Sequence, residues 1–204
     1  MKKEKFNSTT VWPFNQDTLE TWAYYDNVFS KIECEKIIDI GINKKIQTGP
    51  VIRSKNEKET KETKEIRDSK ISWIYPTNEI SWAYRRITDV ILDLNDRFFK
   101  FDLYGFIEGF QFTHYKEPEG KYIKHVDRYQ GGHTRKLSLT IQLSNPDCYK
   151  GGELLLYDSY KPVICPKEQG KLILFPSYVL HEVKPVTKGE RYSLVGWITG
   201  PQFK

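Results

Sequence analysis

Four histidines occur in the 204 residues: His114, His125, His133 and His181. His125 and Asp127 stand two apart, and on a β-strand such a pair projects from one face, where both side chains reach a single ion. His181 can supply a third donor. Two imidazoles and one carboxylate, with the other coordination positions open, form the donor set of non-haem Fe(II) oxygenase sites, and the same set also holds catalytic zinc. The spacing alone is weak, because chance supplies an H-x-D about once in five chains of this composition. A second feature strengthens it. Arg191 follows His181 by ten residues in a predicted strand, with Ser193 on the same face. A guanidinium binds both oxygens of a carboxylate through its planar fork, so a cation behind a metal site calls for an anionic co-ligand. A zinc hydrolase needs a general base but no carboxylate clamp, and Arg191 disfavours it.

The remaining reactive side chains have plainer readings. His114 shares a strand face with Phe110 and Phe112, which predicts core packing, and His133 in Gly131-Gly132-His133 receives no role. Cys34, Cys148 and Cys165 lack C-x-x-C spacing and are expected to be small buried side chains rather than a disulfide framework or thiolate metal site.

The elements that must position these residues follow from periodicity. Ser30-Lys31-Ile32-Glu33 has the form of a capping box, and the apolar residues up to Gly41, read as the stop, predict a helix over 30–43. Ile80, Tyr84, Ile87, Ile91, Leu94 and Phe98 recur at three-to-four spacing and predict a second helix. Between them, Lys55–Asp68 carries five bases and five acids, a neutral run expected to be heavily solvated. From about Phe101 the period becomes two. Leu137, Leu139, Ile141 and Leu143 alternate with Ser138, Thr140 and Gln142, which predicts a half-buried strand; Glu153–Tyr157, Lys171–Phe175 and Arg191–Ile198 predict further strands. Short strands with Gly/Pro turns and no intervening helices imply an antiparallel sandwich, barrel or jelly roll, mainly β with flanking α, buttressed on one face by the two helices.

Composition sets the outer bounds. Hydrophobic residues are 38%, aromatics 14% and charged residues 29%, ordinary for a globular domain. No stretch has the roughly 18 apolar residues of a membrane span, and the basic N-terminus has no apolar segment behind it, which predicts a cytoplasmic protein without membrane contact. A net charge of +5 without a basic cluster makes a nucleic-acid partner an unfavoured expectation.

Tyr115, His125-Val126-Asp127, Gly151-Gly152-Glu153-Leu154, the run Pro166–Pro176, His181 and Arg191–Trp197 together resemble the Fe(II)/2-oxoglutarate dioxygenases of the prolyl 4-hydroxylase-like branch. The stretch from Leu137 to Trp197 is similar to the bacterial and phage PKHD-type hydroxylases. The resemblance implies a double-stranded β-helix, the jelly roll, within a single domain over 1–204. It comprises a mainly helical support region over 1–100, with a charged loop over 53–70, and a jelly-roll core over 101–204. It implies Fe(II) held by His125, Asp127 and His181, with 2-oxoglutarate, O2 and ascorbate as the other cofactors. Arg191 matches the residue that pairs with the distal carboxylate of 2-oxoglutarate. Tyr115, one residue further from His125 than the pattern has it, and Ser193 are expected beside it. Tyr122, Arg135 and Trp197 match positions lining a peptide-substrate pocket.

The implied reaction hydroxylates a peptidyl residue, proline first, and decarboxylates 2-oxoglutarate to succinate; its partner is a proline-containing peptide or protein. The same chemistry on a non-prolyl or small-molecule substrate, and a non-catalytic metal-binding jelly roll, stand as alternatives. A nucleic-acid demethylase expects a second arginine six residues after Arg191, where this chain has Trp197. By the same resemblance the charged segment over 53–70 is a candidate lid, against the simpler reading of a solvated insertion. A phage-like source would put the protein in the host cytoplasm.

Overall fold

The computed structural model describes residues 20–45, 47–48, 61–130 and 132–203. In chain order the elements are β1 (Ala23–Tyr25), α1 (Lys31–Asn43), β2 (Gln47–Thr48), α2 (Lys61–Ile66), β3 (Arg67–Asp68), β4 (Lys70–Ile74) and α3 (Ser81–Leu94), which continues into a π-helical turn over Asn95–Phe99. Then follow β5 (Phe110–Lys116), β6 (Lys121–His125), β7 (Tyr129–Gln130), β8 (His133–Gln142), β9 (Tyr149–Gly151), β10 (Leu154–Tyr157), β11 (Val163–Ile164), β12 (Leu172–Pro176), β13 (Leu180–Val183) and β14 (Val186–Gly200). A large antiparallel sheet runs β1-β12-β8-β14-β5-β4-β2, with β7 on β8 and β9 on β14; a smaller one runs β11-β10-β13-β6-β3. The two face each other as a jelly roll, and the first hundred residues contribute strands to both sheets as well as helices.

The helices form where the pattern places them. Ser30 Oγ accepts from Glu33 N at 3.3 Å while Ser30 N donates to Glu33 Oε2 at 2.8 Å, so two of the first-turn donors are satisfied reciprocally. Gly41 is not the stop. It lies inside α1 because the helix crosses β5 there, and a Cβ at Gly41 would sit 2.3 Å from Phe112 Cγ. Gly41→Ala is therefore expected to destabilise the fold by about 2 kcal/mol, since overpacking of ~3 kcal/mol outweighs the ~1 kcal/mol gain in helix propensity. A chemical denaturation midpoint equal to that of the wild type would contradict the close approach. The second helix stops without glycine: the Asn95 amide donates to Phe101 O and accepts from Phe101 N, both at 3.0 Å, and Lys100 takes the left-handed conformation at φ 52°.

The main core lies between α1, α3 and the outer face of the large sheet, built on Ile37, Ile87, Ile91, Phe110, Phe112, Leu137, Leu139, Ile141 and Leu194. Leu137, Leu139 and Ile141 face it as the alternation predicts, but the strand is not half-buried. Ser138, Thr140 and Gln142 are buried too, because the small sheet covers that face. A second cluster with Tyr115, Leu154, Leu156, Ile173, Phe175, Val183 and Val186 fills part of the space between the sheets.

His114 packs with its ring stacked on Tyr192, centroids 4.5 Å apart, and its Nε2 3.1 Å from Glu190 Oε2. Burial holds its pKa below the usual histidine value despite Glu190, and Lys70 and Lys116 push in the same direction as burial. The unfolded chain therefore takes up a proton near pH 6.5 that the folded chain resists, so stability falls as pH drops below about 6.5. His114→Phe is expected to flatten the denaturation-midpoint profile below pH 6.5; an unaltered slope would remove His114 as its source.

Two other expectations change. Cys34 and Cys165 are buried but Cys148 is exposed, on the turn before β9. Of the charged segment, residues 53–60 lie outside the described residues. Residues 61–66 are helix, 67–68 strand, and Lys70 enters β4. The run is not solvated throughout: Arg67 is 6% exposed, drawn in by the pairing of β3 with β6.

Candidate active site

His125 and His181 face each other directly across the β6–β13 ladder. Their ring centroids are 4.1 Å apart. Each ring is oriented the same way, by a contact from Nδ1 to the backbone carbonyl two residues earlier: Ile123 O at 2.7 Å for His125 and Val179 O at 2.9 Å for His181. A carbonyl only accepts, so Nδ1 carries the hydrogen in both rings and each Nε2 presents a lone pair. Asp127 follows the end of β6, where its N–H donates to Ser177 O at 2.9 Å. Its Oδ2 accepts from Trp197 Nε1 at 2.8 Å and from Ser138 Oγ at 3.0 Å, and Ser138 in turn contacts Ser177 Oγ at 2.9 Å. That leaves Oδ1, 3.8 Å from His125 Nε2, as the oxygen to offer an ion.

The three donor atoms lie within 4.8 Å of one another. A first-row ion with ligand bonds of about 2.1 Å can be held by all three after side-chain shifts of under about 1 Å. The charge states suit it as well. Burial, with the neighbouring His181, pushes the pKa of His125 down to about 4. Burial alone would raise that of Asp127, but the imidazoles and the Trp197 hydrogen bond outweigh it and hold the carboxyl below its usual value. Near neutrality the cluster therefore offers a neutral imidazole at His125 and a carboxylate at Asp127, the forms a metal needs.

Arg191 lies on β14, its side chain 1% exposed. Its Nη2 donates to Gln142 Oε1 at 3.0 Å, while Nε and Nη1 are buried without partners. The guanidinium carbon stands 5.4 Å from the Tyr115 ring centre, and the buried Tyr149 hydroxyl beside it is also unpartnered. Gly152 allows this packing: at φ +66° it is in the left-handed region, and a Cβ there would meet Arg191 Cδ at 3.0 Å. A buried cation with two unused donors fits the carboxylate of an anionic co-ligand such as 2-oxoglutarate. Ser193 is buried on the same strand face as Arg191.

A cavity of about 290 Å³ opens over the trio. Tyr115, Tyr122, Arg135 and Trp197 all line it, as does Arg67. Tyr122 stacks on His125 with ring centroids 3.5 Å apart. Arg135 lies 3.8 Å over the Trp197 ring and holds Glu108 through bonds of 2.9 and 2.7 Å. Trp197 therefore does two things: its ring walls the cavity and its N–H fixes Asp127. His114 and His133 are not among the lining residues.

Sequence reasoning missed Gln142, Tyr149, Ser138, Ser177, Glu108 and Arg67. The first four act by hydrogen bonding or burial across strands far apart in the chain, for which no local spacing is a signal. The polar alternate positions of β8 were the one available clue.

Residues 110–199 match the family model of the 2OG-Fe(II) oxygenase superfamily. A PKHD-type hydroxylase of Shewanella sp. (strain ANA-3) is 39% identical over 90 residues, covering 35% of this chain and 40% of that protein. The chain thus matches well under half the length of that curated relative. Among solved structures, the fold is similar to a prolyl hydroxylase from Trichoplax adhaerens in complex with a hypoxia inducible factor peptide fragment. That likeness has a TM-score of 0.69 and 22% identity, over 88% of this chain and 84% of that one. It is also similar to a Pseudomonas putida prolyl-4-hydroxylase, with TM-score 0.62 and 22% identity over 89% and 94%. At these identities the structural likeness speaks for the fold, while the sequence match spans both histidines, Asp127 and Arg191. Fold, donor set and sequence match agree: over residues 110–199 the chain is similar to the 2OG-Fe(II) oxygenase superfamily, and its fold is similar to that of prolyl 4-hydroxylases.

Proposed function

We propose that the protein is an Fe(II)- and 2-oxoglutarate-dependent dioxygenase that hydroxylates a peptidyl residue, proline first, converting 2-oxoglutarate and O2 to succinate and CO2. The observation that carries this reading is the buried Arg191 with two unused N–H groups, set against Tyr115, which itself lines the cavity over a two-histidine, one-carboxylate cluster. A zinc hydrolase or a passive metal module has no use for such a cation. His125, Asp127 and His181 would hold the iron, which supplies the oxidising chemistry when bound with 2-oxoglutarate and O2; ascorbate would keep it ferrous. Arg191, with Tyr115 and Ser193 beside it, would bind the distal carboxylate of 2-oxoglutarate. Tyr122, Arg135 and Trp197 would wall the substrate side. By orienting both imidazoles through backbone carbonyls and fixing one oxygen of Asp127, the chain sets the donors before anything binds.

A peptide substrate is supported by the likeness to the Trichoplax enzyme, which was solved with a peptide. The strands that the first hundred residues add to both sheets support reading the chain as one oxygenase domain. No helix among the described residues is long and apolar enough to cross a membrane. The three free cysteines favour a reducing, cytoplasmic setting.

The test is succinate formation from 2-oxoglutarate with Fe(II), ascorbate and O2, with and without proline-containing peptides. Peptide-stimulated turnover supports the proposal. Turnover without peptide stimulation would keep the chemistry and remove the peptidyl substrate, and iron binding without turnover would leave a metal-binding module.

A further inference from the structure

Four charged side chains besides the histidines line the cavity: Arg67, Glu108, Asp127 and Arg135. Arg135 is paired with Glu108, and Asp127 belongs to the metal cluster. Arg67 is different. It is 6% exposed, and its partners are all neutral: Nε donates to Ser69 Oγ at 2.8 Å, Nη2 to Gln111 Oε1 at 2.6 Å, and the guanidinium lies 4.6 Å over the Tyr122 ring. Among the described residues no carboxylate pairs with it. A buried charge without a counter-charge is costly and marks a place where an anion is to arrive.

The charges of the loaded site point the same way. In the proposed reading a divalent ion and the 2-oxoglutarate dianion would cancel each other, and Glu108 and Asp127 would offset Arg135 and, behind the lining, Arg191. One positive charge is left, on Arg67, for the remaining occupant. Its place is defined by a stack of three groups: Arg67 over Tyr122 and Tyr122 on His125. The guanidinium is thus within about 8 Å of the imidazole, the length of roughly two residues of extended chain.

We infer that Arg67 is a carboxylate-recognition subsite, and that the peptide acted on carries a carboxylate, from a side chain or a chain end, within two residues of the hydroxylated position. This rests on the peptidyl-hydroxylase reading above and adds a substrate class to it. The fork of Arg67 keeps Nη1 without a hydrogen-bond partner among the described residues, which leaves a donor for the incoming oxygen.

The experiment compares end-blocked proline peptides carrying Glu within two residues of proline with matched peptides carrying Gln, using the wild-type protein and succinate as the readout. A third arm carries Gln but a free C-terminal carboxylate next to proline. A KM about tenfold lower for a carboxylate-bearing peptide is expected, the size of a charge-assisted over a neutral hydrogen bond. The arm that shows it identifies the source. Arg67→Gln should erase the difference, and because the primary comparison changes only the peptide, it stands even if that variant folds poorly. Equal KM values in the wild type, or no response to any of the peptides, overturns the inference. Peptide-free turnover of 2-oxoglutarate in the same assay separates the two failures: if it persists, only the carboxylate subsite is lost, and if it is absent, the dioxygenase reading fails first.

Discussion

Asp127→Ala is expected to abolish iron-dependent succinate formation, by about a thousandfold or more, and to weaken binding of Co(II), a spectroscopic stand-in for Fe(II), by over a hundredfold. The magnitude follows from position. Asp127 is the one anionic donor of the cluster, and its second oxygen is already committed to Trp197 and Ser138. Without it, two imidazoles on one ladder remain, and no anion offsets the charge of the ion. The metal-free fold should survive, because the aspartate sits past the end of β6 rather than in the apolar core. A folded variant that binds Co(II) with wild-type affinity would overturn the ligand assignment.

Arg191→Met separates binding from stability and should move them in opposite directions. In the proposed reading, removing the guanidinium leaves no cation to pair with the distal carboxylate of 2-oxoglutarate, so KM for 2-oxoglutarate should rise at least about a hundredfold, the size of one bidentate charged contact. The same change removes a buried cation that has two unpartnered donors when nothing is bound. Replacing such a charge with an apolar side chain of similar length tends to stabilise, and the cosubstrate-free variant should melt above the wild type by the equivalent of about 1 kcal/mol. Addition of 2-oxoglutarate to the Mn(II)-loaded proteins should then raise the melting temperature of the wild type by more than that of the variant. A variant that keeps its KM would remove Arg191 from cosubstrate binding.

The parts of the molecule that were legible in the sequence are those fixed by local chemistry. The capping box at Ser30 and Glu33, the apolar stripe of α3 and the alternation of β8 each depend on residues a few positions apart, and each forms in place. The cluster was legible for a related reason: the short H-x-D spacing puts two donors on one side of the chain, and His181 had few rivals among four histidines. What was hidden depends on contacts between distant segments. Alternation shows that β8 has a polar face but not that a second sheet covers it. Gly41 reads as a stop until Phe112, far along the chain, is seen against it. Arg67 sits in a run whose charges balance, and only pairing with β6 turns it inward.

Asp127 has a wider consequence. Both histidines rise from the small sheet, whereas the groups that grip the aspartate, Trp197 and Ser138, rise from the large one. The carboxylate is therefore a strut between the two walls, with its far end tied to one and its near end offered to an ion held by the other. If the walls part, the three donors spread; if an ion draws the donors in, the walls close. The gape of the sandwich and the bite of the chelate are one coordinate, so any group that wedges or clamps the mouth of the cavity also tunes how firmly the metal is held.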